Sequence, residues 1–243
     1  MAKLTWDENG ARLYETGTRR GVLFPKTQAN SYDKGVAWNG LTGVTENPSG
    51  AEETALYADD MKYLSLYSAE EFGFTVQAYT YPDEWAACDG SAELAPGVTV
   101  GQQVRLPFGM CYRTVLGNDQ LGENFGYKLH LIYNAKASPS ERSYATINDS
   151  PDAITFSWEC KTTPQNIDDT HKPTAYIVID STKADATKLA ALEAILYGTE
   201  LTDPRLPSPA EVVEIMQSSE ETTEEDTTEE ITEETTEETT EEQ

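Results

Sequence analysis

Three stretches of this chain alternate apolar and polar residues with a period of two, a pattern that an α-helix cannot bury on one side. Along 125–135, Phe125, Tyr127, Leu129, Leu131 and Tyr133 fall on one face, with Lys128, His130 and Asn134 on the other. Along 154–161, Ile154, Phe156, Trp158 and Cys160 fall inward, while Thr155, Ser157, Glu159 and Lys161 fall outward. Residues 72–79 repeat the pattern through Phe72, Phe74, Val76 and Ala78. Successive strand side chains point to opposite faces, so each stretch reads as a half-buried antiparallel strand. Residues 103–116 predict a longer strand or hairpin arm, with a bulge or bend at Pro107 and Gly109. Residues 174–180 are apolar on both faces and predict a strand covered on both sides.

Two segments switch to the helical period. Leu189, Leu192, Ile195 and Leu196 form one stripe over about 184–197, with Thr182 and Asp185 at its start and Gly198 at its stop. Ser208, Pro209 and Glu211 open a second, shorter helix. Its face of Val212, Val213, Ile215 and Met216 must dock on the chain's own sheet or on a neighbouring subunit, because so short a helix is marginal alone.

The stretch 27–60 holds Gly35, Gly40, Gly43, Pro48 and Gly50 and reads as a long assembly loop. Trp38, Leu41 and Val44 within it require a surface to cover, and Trp38 and Tyr57 are of the types enriched in protein–protein contacts. These four residues, with Val212, Val213, Ile215 and Met216, are the candidate subunit contacts. The expected organisation is an N-terminal arm and first strand (1–26), the loop (27–60) and a β core with its flanking helix (61–200). A C-terminal segment with the short helix (201–217) and a Glu/Thr tail (218–243) follow.

That tail repeats Glu-Thr-Thr-Glu from Glu221 to Glu241, with Ile231 its only aliphatic residue. It buries too little apolar surface to offset its ordering entropy, so disorder is expected. The chain has 43 acidic against 17 basic residues, and 13 of the acids lie in 218–243, leaving the body with 30 acids and a net −13. Duplex-gripping proteins neutralise phosphates with Lys and Arg, so tight nucleic-acid binding is disfavoured. No apolar run approaches the roughly 18 residues of a membrane span. The polar opening Met1–Gly10 lacks a secretory pattern, which points to a chain made in a cytoplasm.

The search for chemistry returns little. There is no phosphate-cradling glycine loop, no G-x-S-x-G and no H-E-x-x-H. Cys88, Cys111 and Cys160 are too few and too widely spaced for a disulfide framework or zinc site and read as core residues. His130 reads as a surface residue, and His171, in Asp168-Asp169-Thr170-His171, as part of a solvated loop. Asp59-Asp60 and Asp83-Glu84 are adjacent carboxylates whose side chains diverge, so neither makes an acid/base dyad. No catalytic residue, cofactor or metal is expected.

Several segments together resemble the major tail (tail tube) proteins of tailed phages infecting Gram-positive bacteria. They are Tyr127–Ala135, Arg142–Ser150, Thr155–Glu159 with Thr162-Thr163-Pro164, and Leu56–Tyr63 followed by the strand from Phe72. Gly21–Pro25 and Leu206–Pro209 fit as well. The resemblance spans roughly 1–217 and excludes the Glu/Thr tail. It implies a mainly β fold, a β-sandwich or barrel-like tail-tube fold with one flanking α-helix, a short C-terminal helix and an acidic tail. It implies a structural virion protein whose hexameric rings stack into the conduit for genome ejection. Its partners would be copies of itself, other tail proteins (tape measure, terminator, baseplate) and passing DNA that is not held tightly, with no membrane. The competing expectation is a β-sandwich adhesin or carbohydrate-binding decoration protein of a virion.

Overall fold

The computed structural model describes residues 3–27, 31–147, 149 and 152–217, and these are mainly β. In chain order they form β1 (Leu13–Pro25), β2 (Val36–Ala37), β3 (Leu41–Glu46), β4 (Ser49–Gly50), β5 (Glu53–Ala58), β6 (Met61–Tyr67) and β7 (Glu70–Glu71). Then come β8 (Gly73–Ala78), α1 (Trp85–Asp89), β9 (Ala92–Ala95), β10 (Val98–Val100), β11 (Phe108–Asn118) and β12 (Gly122–Ala137). The chain continues through β13 (Phe156–Thr162), β14 (Tyr176–Asp180), α2 (Ala186–Tyr197) and α3 (Pro209–Gln217).

The large sheet is antiparallel, in the order β2-β1-β11-β12-β13-β8-β3, and β14 also pairs with β12. β12 pairs with β11 along one edge and is long enough to serve two neighbours along the other. Its middle, Lys128–Ile132, pairs with β14, and its end, Ala135–Ala137, pairs with β13. The sheet therefore forks and folds over itself in a sandwich-like way. β3 returns close enough to β1 that a Cβ on Gly21 would meet the tip of the Leu41 side chain at 2.8 Å.

Each face of the sheet carries a core. Leu23, Met110, Ile132, Phe74, Val76 and Trp158 enclose the first, with Trp38 and Trp85 between the limbs. The Trp38 and Trp85 rings lie 4.8 Å apart and those of Trp85 and Phe108 4.9 Å, contacts worth about 0.5–1.5 kcal/mol each beyond area burial. The second core sets Phe24, Cys111, Leu129, Leu131 and Tyr133 against Leu189, Leu192 and Leu196 of α2. All three cysteines are buried and unbridged.

α2 and α3 begin where the sequence signals place them, and α1 is a short helix that those signals do not mark. The Asp185 side chain accepts from the N–H groups of Thr187 and Lys188 at 2.9 and 3.0 Å. Ser208 Oγ accepts from Glu211 N at 3.2 Å, and Glu211 in turn pairs with Arg205.

Four expectations change. The stretch 27–60 is not a free loop: β2 and β3 join the large sheet, and β5 with β6 forms a hairpin that crosses the expected boundary at 60. The core is not confined to 61–200, because Val22, Leu23 and Phe24 enter it from β1 and Leu206 and Val212 from the C-terminal segment. The alternation of 125–135 does not run through: Asn134 sits at φ 50° in a bulge, so Tyr133 faces the second core and Ala135 and Ala137 the first. The strand expected from 154 begins at Phe156, leaving Ile154 exposed. The acidic tail 218–243 lies outside the described residues.

Candidate assembly surface

Among the described residues, β5 and β6 pair only with each other. Asp59 and Asp60 join them with φ of 49° and 62°, the left-handed pair a tight two-residue hairpin turn requires, and Asp tolerates that region better than most residues. Cross-strand register puts Leu56 opposite Leu64 and Thr54 opposite Leu66 on one face. The other face is polar, with Glu53 held by Lys62 and Ser65, which keep its carboxyl below the ordinary range. Tyr63 is the extra residue of a bulge near the tip. Tyr57, Met61 and Tyr63 are 72%, 70% and 72% exposed there. A leucine face and an aromatic tip thus project without a core of their own.

At the foot of the hairpin lies a largely apolar groove of about 790 Å³, lined by Tyr67, Phe72, Pro164, Pro173 and Tyr176 among others. It leads to β14, which departs from its expected double coverage. Ile177 and Ile179 pack on the second core, whereas Tyr176 and Val178 are each 40% exposed on the opposite face. Tyr133 N donates to Ala175 O and Ser181 N to Tyr127 O, which sets the hydrogen-bonding phase of the β12–β14 ladder. By the antiparallel alternation, Ile177 and Ile179 turn their backbone groups to β12, and Val178 turns its own to the open edge. A second groove, about 390 Å³, runs between β14 and α3 past Val178, Val213 and Met216.

The candidate contacts divide accordingly. Trp38 is 4% exposed, its Nε1 donating to Thr80 O at 3.0 Å, and Leu41 and Val44 pack on the first core. Trp38 is taken up in the chain's own core, which corrects its reading as a subunit contact, while Leu41 and Val44 stay half-buried on the edge strand β3. Val212 is buried in the second core and Ile215 packs against it. Val213 and Met216 line the groove beside β14, and Tyr57 stands at the hairpin tip. Met61, Tyr63, Leu64 and Leu66 join Tyr57 on this surface, and the apolar runs flanking Asp59-Asp60 form a readable hairpin signal.

His130 corrects another expectation. It is buried against Tyr112, whose ring stacks on it at 4.5 Å, and its Nε2 lies 3.0 Å from Thr114 Oγ1. Burial lowers its pKa, against the opposing pull of Glu46 and Glu15. His171 stays in an exposed loop, where its hydrogen bonds to Asp168 hold that carboxyl far below its usual range. Among the described residues no group of three His, Cys, Asp or Glu is placed to hold a metal, and no helix is long and apolar enough to cross a membrane. No known family model matches the chain, and no curated protein matches its sequence.

Proposed function

We propose that this chain is a structural subunit that assembles with copies of itself, the major tail tube protein of a tailed phage, stacked as rings around a DNA conduit. The observation that carries the reading is the β5–β6 hairpin: a leucine face and an aromatic tip that nothing among the described residues covers. Its occupant is a second copy. The protruding tip and the apolar groove lie at opposite ends of one element, so a copy displaced along the hairpin presents its groove to its neighbour's tip. Seven strand residues at about 3.3 Å each reach roughly 20 Å. Such a head-to-tail contact repeats without closing, which is what axial stacking requires, and the open edge of β14 supplies a second contact for ring closure.

The net −13 of the body supports a conduit that does not hold its cargo. Carboxylates facing a lumen would repel phosphate and keep a passing duplex centred, screened over about 8–10 Å. Electron microscopy of the purified protein in negative stain tests the assembly reading: rings or hollow tubes are expected, and dispersed monomers at every concentration and salt tried would overturn it.

A further inference from the structure

Residues 3–12 lead into β1 as an arm whose base is fixed and whose tip is bare. Gly10 N donates to Asp119 Oδ1 at 2.9 Å, and Asn118 Nδ2 donates to Gly10 O at 3.2 Å, which pins the arm to the β11–β12 turn. Arg12 Nε donates to Asp7 O at 3.1 Å and ties in the residues before that pin. Leu4 and Trp6, further out, are 73% and 76% exposed. An indole left in water gains by moving onto any apolar wall within its reach.

A cleft of about 480 Å³ opens between α2 and the first residues of β12. Phe125, Tyr127 and Leu189 give it apolar walls, and Ala186 and Ala190, four residues apart on α2, are too small to fill it. It stays open because β14 pairs down β12 only as far as Lys128.

Arm and cleft sit at one level on opposite edges of the sheet. Leu13 pairs with Asn118 and Asn118 with Gly122, so the starts of β1 and β12 share a row. Among the described residues β2 pairs with β1 only at Val22 and Leu23, which leaves the Leu13–Arg19 side of β1 without a neighbour. Copies set side by side in a ring therefore bring the β1 edge and arm of one against the β12–β14 edge and cleft of the next. Trp6 lies four residues from the pinned Gly10, a reach of up to about 13 Å, against a strand spacing of about 4.8 Å. Charge matches as well. Lys3 has no acidic partner among the described residues, and the cleft lining holds Glu123 and Glu193 with no basic side chain. Glu193 is taken by Arg113, whereas Glu123 meets only the exposed Arg19.

We infer that the cleft between α2 and β12 receives the N-terminal arm of a neighbouring copy, with Trp6 against Phe125 and Leu189 and Lys3 beside Glu123. The inference rests on the self-assembly reading and names the residues of its lateral contact. The test mixes two full-length chains, one carrying Thr5→Cys and the other Ala190→Cys, under mild oxidation. The native cysteines are buried and do not compete. A disulfide-linked heterodimer is expected on a non-reducing gel. Adding Trp6→Ser to the Thr5→Cys chain should cut its yield at least about tenfold at an unchanged melting temperature, since an exposed tryptophan that docks carries much of its contact. A yield no higher than with Thr99→Cys in place of Ala190→Cys overturns the proposal, and so does a yield indifferent to Trp6→Ser. A chain carrying both cysteines that locks internally as a monomer also overturns it, because the arm then covers its own cleft. Tubes in negative stain without the crosslink sink this inference alone; the Trp6-dependent crosslink without tubes upholds it and sinks the tube reading.

Discussion

The rings of Phe72 and Tyr176 stack 4.3 Å apart and 19° from parallel, tying the start of β8 to the edge strand β14. Phe72 is buried in the first core, while Tyr176 leaves part of its ring in the groove at the hairpin foot. One side of this pair belongs to the fold and the other faces the proposed partner. Val178, two residues on, is exposed on the same face and can be changed without touching the stack. Val178→Lys should therefore shift the urea midpoint little, within about 0.5 kcal/mol. It should abolish rings and tubes in negative stain, because a charge on the open face must be desolvated on docking. Normal tubes would show that β14 is not an interface.

Trp38 and Tyr57 separate core from surface. Removing the buried indole by Trp38→Ala should cost about 3–5 kcal/mol in urea denaturation, through lost burial and the cavity left behind. Tyr57→Ala should cost under about 0.5 kcal/mol and act on assembly alone. Equal destabilisation by the two would mean that the hairpin packs against its own chain.

Asp185 satisfies two of the N–H groups that open α2. Asp185→Ala should lower stability by about 1 kcal/mol, and Asp185→Asn much less, as judged by thermal melting.

Acid should destabilise the monomer through His130. Burial depresses its folded-state pKa below the ordinary 6.5, so the unfolded chain takes up its proton first. The contribution of the neutral imidazole is complete above 6.5 and is lost as pH falls from there through the folded-state value. Glu15, held low by hydrogen bonds from Lys128 and Thr114 against the opposing effect of burial, adds a further loss at lower pH, below its ordinary 4.5. His130→Gln should flatten the upper part of the stability–pH curve in chemical denaturation; an unchanged curve would show that His130 does not titrate there.

If copies assemble as proposed, charge should set the threshold. Ending the chain at Gln217 removes 13 carboxylates and their repulsion between copies. Melting should be unaffected, and sedimentation should show assembly at lower protein concentration, as should added salt with the full chain. A truncated chain that no longer folds would overturn the view that the tail is dispensable to the fold.

Alternation alone located β8, β12 and β13, because a half-buried strand writes its two faces into the local sequence. The capping residues Asp185 and Ser208 marked α2 and α3 for the same reason, since a helix start is satisfied by its nearest neighbours. Tertiary structure decided which surface each apolar residue meets. Trp38, Leu41 and Val44 sit among glycines and read as loop, yet β8 and β1 supply the sheet that buries Trp38 and half-covers Leu41 and Val44. The bulge at Asn134 reverses the faces of β12, as a one-residue offset always does, and depends on Lys26 and Tyr32 contacts more than 100 positions away.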